Sequence, residues 1–176
     1  MKKLSILLIL TLFLAGCSTT PKDETPETPD AETVASSSDK SDVVAASLGK
    51  DGNWITAATA DVSYHADLVV EGEFHDKGDD KAAIYRKLAL HTQNDKFEIL
   101  ENFTLTTPKL VVKSENFTVF YGTIKGDIEV HAKGFSLVGT KVEGNITFVD
   151  QETQDSADLD KDAKGATYTG EVSLID

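Results

Sequence analysis

Between Pro108 and Phe148 the chain repeats itself every eighteen residues, and that period limits what it can fold into more than any other feature. Leu110, Ile128 and Ile146 form one series at this spacing, and Val112, Val130 and Phe148 form a second. The pairs Phe117/Phe135, Val119/Leu137, Ile124/Val142 and Gly126/Gly144 keep the same step. A repeat this short cannot hold a helical hairpin, and its alternation of apolar and polar residues broken by glycine suits stacked strands. The sequence therefore predicts an all-β fold, a short single-stranded β-helix (β-solenoid) of about six coils, preceded by a disordered linker.

The register extends outward if the loops vary. The apolar pair recurs as Leu68/Val70, Leu88/Leu90, Leu110/Val112, Ile128/Val130, Ile146/Phe148 and Val172/Leu174, at intervals of 20, 22, 18, 18 and 26 residues. Four residues before each pair stand Tyr64, Ile84, Thr106, Ile124, Val142 and Tyr168. Two residues before lie Ala66, Arg86, Pro108, Gly126, Gly144 and Gly170, a column whose glycines and proline mark a corner. Two stretches fit less simply. Residues 80–91 read either as a strand from Tyr85 to His91 or as an amphipathic helix with Ile84, Leu88 and His91 on one face. Residues 150–166 form an acidic insertion that reads as a protruding loop.

Aromatic residues mark the domain boundary, since after Phe13 none appears until Trp54. The division expected is a signal segment over residues 1–16, an acidic linker rich in Pro, Ser and Thr over 17–48, and one domain over 49–176 with its acidic loop at 150–166. The formal charge is −13, and without Lys2 and Lys3 there are 15 basic and 30 acidic residues. Such a surface repels phosphate backbones, which argues against nucleic acid as a partner.

Residues 1–17 begin Met1-Lys2-Lys3, run almost wholly apolar from Leu4 to Leu14, and close on Ala15-Gly16-Cys17. This is the layout of a secretory signal, and the apolar run is too short for a standard membrane span. Leu14-Ala15-Gly16-Cys17 resembles the lipobox of bacterial lipoproteins. That resemblance implies cleavage before Cys17, lipidation of its thiol, and a lipid-anchored protein on the extracytoplasmic face of a bacterial cell membrane. The run Gly122 to Val130, followed by Lys141 to Ile146, is similar to the bactofilins, polymer-forming β-helix proteins, while the domain as a whole resembles lipoproteins of low-GC bacteria.

Candidate sites follow from which residues the alternation turns outward. Asp127, Glu129 and His131 would centre a polar groove able to bind a ligand, with Lys109 beside Asp127 and Lys125 beside Glu143 along the ladder. Asp158, Asp160 and Asp162 alternate as carboxylates do at the start of a calcium loop, although Ala163 takes the turn position that needs glycine and Thr169 the place of the bidentate glutamate. Calcium is the one cofactor this pattern offers. His65, His75, His91 and His131 are scattered without metal-ligand spacing, and no nucleophile motif or phosphate loop is present, so catalysis is not expected. The expected function is a membrane-anchored lipoprotein displaying a β-solenoid as a binding or structural module of the cell envelope, with a cell-wall polysaccharide or an envelope protein as partner. Its rivals are a surface scaffold self-assembling through the solenoid ends and a carbohydrate-active enzyme using carboxylates near Asp127 and Glu129.

Overall fold

The structure is a computed structural model, and it describes residues 35–175. In chain order the strands are β1 (Ala35–Ser38), β2 (Ile55–Ala58), β3 (Val62–Ser63), β4 (Leu68–Val70), β5 (Arg86–Ala89), β6 (His91–Gln93), β7 (Ile99–Asn102) and β8 (Thr104–Val112). They continue with β9 (Phe117–Phe120), β10 (Thr123–Val130), β11 (Ser136–Val138), β12 (Lys141–Glu143), β13 (Ile146–Phe148), β14 (Thr167–Tyr168) and β15 (Val172–Leu174). Helix α1 spans Ser41–Leu48 and helix α2 spans Gln151–Asp155.

These strands form three sheets. A five-stranded parallel sheet runs β1-β2-β5-β9-β11. In the eight-stranded parallel sheet the long strands β8 and β10 lie side by side, β3 and β4 flank β8, and β12 and β13 flank β10, with β14 and β15 outermost. The third is an antiparallel ribbon of β6 and β7. The eighteen-residue columns pair within this frame: Leu110 faces Ile128, and Ile128 faces Ile146. Phe120 faces Val138 in the five-stranded sheet. Both parallel sheets turn apolar residues toward one core, where Leu88, Val119 and Leu137 of one sheet join Leu110, Ile124, Ile128, Val142 and Ile146 of the other. Burying each such side chain stabilises the fold by about 1.5–3 kcal/mol, and parallel sheets depend on this because they need cover on both faces.

The expected short single-stranded β-helix of about six coils is overturned, and Leu88 shows why. The register placed Leu88/Leu90 between Leu68/Val70 and Leu110/Val112 in one column. In the structure Leu68 pairs directly with Leu110, while Leu88 belongs to the other sheet, between Thr56 and Val119. The mostly-β domain is thus organised as three distinct sheets and two helices with extensive packing between distant parts of the chain, and residues 80–91 contribute the strand β5.

The disordered linker is overturned over its described part as well. β1 pairs with β2 residue by residue, from Ala35↔Ile55 to Ser38↔Ala58. Helix α1 buries Val44, Ser47 and Leu48, carries Asp42 in its first turn where the helix dipole favours a carboxylate, and stops at Gly49. The acidic insertion is no protrusion either. Asp150 caps α2 by accepting from the Thr153 amide at 2.8 Å, and Asp158 continues the five-stranded sheet, its carbonyl accepting from Leu137 N at 3.0 Å and its amide donating to Phe135 O at 2.9 Å. With α1 packed at one end of the core, and Ala157, Leu159 and Ala166 packed against it from the insertion, apolar groups of both segments lie on the core. With three sheets in place of stacked coils, the structure gives no support to self-association through solenoid ends.

Two details fix the geometry near the sites. The corner column carries Gly126 at φ 137°, where an added Cβ would stand 1.8 Å from Thr107 O, so the strand turns there only because no side chain intervenes. Arg86, the only arginine, is fully buried. Its Nε donates to Asn53 O at 3.0 Å, Nη1 to Glu71 O at 2.6 Å and Ser114 Oγ at 3.0 Å, and Nη2 to Ser47 O at 2.8 Å and Gly49 O at 2.9 Å. The Phe74 ring covers the guanidinium at 4.1 Å. One side chain thereby ties the end of α1, the turn before β2 and the segments at Glu71 and Ser114 to β5.

Candidate functional site

The outward face of the eight-stranded sheet carries the residues expected to bind. Asp127 and Lys109 are register partners, yet the Lys109 ammonium reaches diagonally to Glu129 instead. Glu129 Oε1 also meets His131 Nε2 at 2.7 Å. Hydrogen bonds from Lys109 and then His131 hold the Glu129 carboxyl below its ordinary range, and the same contact raises Lys109. Asp127 turns to the backbone and accepts from Asn145 N at 2.8 Å. The structure therefore brings Glu129 and His131 together and sets Asp127 beside them as a strand fastener. Lys109, Asp127, Glu129, Asn145, Glu171 and Ser173 line a groove of about 320 Å³. On the next ladder Lys125 lies 3.9 Å from Glu143, which Lys141 approaches at 2.7 Å.

The three aspartates of the insertion part company. Asp158 Oδ1 accepts from Asp160 N at 3.3 Å, and Asp160 Oδ1 accepts from Gly165 N and Ala166 N, each at 2.8 Å. Asp162 instead lines a cleft described below. Among the described residues no group of three or more His, Cys, Asp or Glu side chains is placed to hold a metal ion. Cys17 lies outside the described residues.

A second site, on the outer face of the five-stranded sheet, was not expected from the sequence. Register fixes what that face shows: Ile55 lies beside Lys87, and Ala57, Ala89, Phe120 and Val138 follow one another across four strands. The ribbon β6-β7 rises over this floor from Leu90, whose amide donates to Phe120 O at 3.0 Å and whose carbonyl accepts from Phe103 N at 2.8 Å. His91, Gln93, Phe97 and Ile99 of the ribbon segment, together with Tyr121, Asp162 and Lys164, surround a cleft of about 440 Å³. Three of its lining residues, Phe97, Tyr121 and Asp162, hold φ values of 62°, 54° and 63°. For bulky side chains this left-handed backbone is costly, and such costs gather where geometry matters more than stability. In the ribbon turn, Asn94 Oδ1 accepts from Lys96 N at 2.9 Å and Glu98 N at 3.0 Å, which holds Phe97 in that conformation with 78% of its surface exposed.

Lys87 is the chemical centre of this face. Its ammonium lies 5.2 Å from the Trp54 ring centroid, 5.7 Å from Tyr85 and 5.4 Å from Phe120, within cation–π range of all three. It makes no hydrogen bond or ion pair among the described residues. Burial lowers its pKa, only partly opposed by the more distant Asp76. The only sequence signal for this site was the pair Arg86-Lys87 on an alternating strand, which sends one cation inward and the other outward.

No helix among the described residues is long and apolar enough to cross a membrane. The lipobox at Leu14–Cys17 lies outside the described residues, so the structure offers no support for a lipid anchor or for the membrane partner drawn from it. Comparison of the chain with protein-family models, curated proteins and solved structures finds no match, and a fold of three sheets in place of a solenoid supports neither the lipoprotein nor the bactofilin resemblance, nor the solenoid module or scaffold expected from them.

Proposed function

We propose that this protein is a non-catalytic binding protein whose ligand is a small ring-bearing molecule seated in the cleft between the five-stranded sheet and the β6-β7 ribbon. The observation that carries this reading is the half-buried Lys87 ammonium, without an ion pair among the described residues, held among three aromatic rings at the edge of that cleft. Mostly apolar concave surfaces with a few convergent polar groups are the usual form of small-molecule sites, and here Phe97, Phe120 and Tyr121 supply ring faces while Lys87, His91 and Asp162 supply polarity. Binding without turnover is favoured because the closely placed titratable groups elsewhere are engaged with one another, as Glu129 is with Lys109 and His131. The basic start and apolar run of residues 1–16 support a place outside the cytoplasm, which cell fractionation tests.

The test of the site is amide-resolved NMR of the full chain against a library of ring-bearing fragments. Shifts should concentrate at Ala89, Gln93, Phe97, Tyr121 and Val138, and Phe97→Ala should weaken whatever binds by about tenfold. Hits that leave these amides unmoved would remove the site. A second reading is favoured by one observation, the 2.7 Å contact of His131 with Glu129, a residue that lines the polar groove. It places a ligand on Asp127, Glu129 and His131, and the triple alanine variant retaining all fragment binding would end it.

A further inference from the structure

Resting on the reading of this cleft as the ligand site, the structure assigns it a ligand class: we infer that it takes a planar aromatic carboxylate, the ring lying among Phe97, Phe120 and Tyr121 and the carboxylate meeting Lys87, with Lys164 as a second, outer cation.

Charge makes the first selection. The chain carries a formal charge of −13, and its acid-rich surface disfavours anions nearly everywhere. This cleft runs against that balance, lined by two lysines and one aspartate. Four other lysines show what this protein does with an ammonium that has structural work. Lys109 meets Glu129, Lys133 meets Glu152, and Lys125 and Lys141 meet Glu143. Lys87 has no such carboxylate, and neither does Lys164 among the described residues. Half-burying an ammonium without an acceptor costs free energy that the three surrounding rings offset only in part. A carboxylate arriving at Lys87 would supply the missing acceptor in a partly dry setting, where a charge-assisted hydrogen bond is stronger than in water.

Shape makes the same selection. The floor is one register column of Ala57, Ala89, Phe120 and Val138 on a single sheet face, a surface on which a planar ring can stack. The His91 and Tyr121 rings meet edge to face at 4.8 Å and 73°, forming a rigid corner beside that floor. Phe97 stands exposed on the ribbon and lines the same cleft. The inverse ligand, an aromatic amine, would bring a third cation to Lys87 and Lys164.

Three probes sharing one ring decide the matter: indole-3-acetate, the neutral indole-3-acetamide and the cationic tryptamine, titrated into the full chain by calorimetry at low salt. The expected order is acetate over acetamide over tryptamine, with at least tenfold between the first and the last. Lys87→Met should weaken indole-3-acetate at least tenfold and leave the acetamide within about twofold, whereas Lys87→Arg should keep most of the affinity for the anion. Lys164→Met should cost less, about two- to threefold. Equal affinity for all three probes, or an unchanged indole-3-acetate affinity in folded Lys87→Met, overturns the anion preference and leaves the cleft itself standing as a ring-binding site. If none of the probes binds and a broad fragment library also leaves the cleft amides unmoved, both the preference and the site fall. The wild-type order of affinities is read without any variant, so a variant that fails to fold does not shield the inference.

Discussion

Arg86 and Lys87 are neighbours in the chain and cations of the same strand, yet they live on opposite faces of one sheet under opposite rules. Arg86 points inward, where backbone carbonyls and Ser114 Oγ accept from its guanidinium and no carboxylate bonds to it. Burial lowers its pKa to about 10, with Glu71 acting in the other direction. Lys87 points outward, is only half buried, and has rings in place of acceptors. The difference separates a charge that organises the fold from one that awaits something. A planar fork with five donors can be saturated by carbonyls converging from separate segments, whereas a point charge on a flexible stem is suited to a partner that comes and goes.

The contrast breaks most visibly at Arg86. Replacing it by Met should cost about 3–5 kcal/mol in urea denaturation, because several buried carbonyls lose their donor together. Arg86→Lys should recover only a part of this, since three donors on one nitrogen cannot reach acceptors spread around a fork. If Arg86→Met unfolds at the same urea concentration as the wild type, the socket is not what joins α1 to the sheet.

Core packing should come next. Ile128→Ala removes a fully buried side chain at the centre of the eight-stranded sheet and should cost about 2–5 kcal/mol by the same measurement. The polar ladder should matter far less. Glu129→Gln should lose no more than about 1 kcal/mol, because the Glu129 and Lys109 side chains stay 20% and 36% exposed and solvent screens the pair. The folded Glu129 carboxyl titrates below its ordinary value, so its contribution is complete above that value and disappears as pH falls through the lowered one. The difference between wild type and Glu129→Gln should therefore close in acid.

Lys87 should show the smallest effect on stability and the opposite sign. Its folded pKa lies below that of an ordinary lysine, so the unfolded chain keeps the proton longer as pH rises. The penalty of holding the charge is complete below the lowered value and fades as pH climbs from there to the ordinary one. Lys87→Met should thus be as stable as the wild type or slightly more so at neutral pH, and any advantage should shrink in alkali. A large destabilisation by Lys87→Met would erase the distinction drawn between the two faces.

Much of the eight-stranded sheet was legible in advance because its strict columns recur at one spacing. Leu110, Ile128 and Ile146 pair, and the Gly126/Gly144 corner brings backbone so close that an added Cβ at Gly144 would stand 2.2 Å from Gly126 O. The five-stranded sheet was harder. An apolar pair two residues apart, such as Leu88 and Leu90, carries no mark of which sheet it joins, and with irregular loops an interval of 20 or 22 residues accommodates either. The Ala and Val residues between Val34 and Leu48 allow a short helix there, but the acidic, Ser-rich surroundings favoured disorder, and what decides for α1 is the burial of Val44 and Leu48, one turn apart, in the core. The polar groove followed from alternation alone. The aromatic cleft did not, because Ile55, Lys87, Phe97, Phe120 and Asp162 come from five distant segments with no spacing in common. Tertiary structure alone brings them together.

The ribbon's attachment has an evolutionary consequence. Leu90 and Phe103, joined by one backbone hydrogen bond, close its base, so residues 91–102 form an excursion that the chain leaves and rejoins at nearly the same point. Its turn from Asn94 to Glu98 is closed by its own hydrogen bonds, and Phe97 and Leu100 sit on it exposed to solvent. Selection can therefore rewrite this finger, lengthening it or trading its rings for other groups, without renegotiating the interior beneath, so a lineage built on one conserved frame could diversify what it recognises.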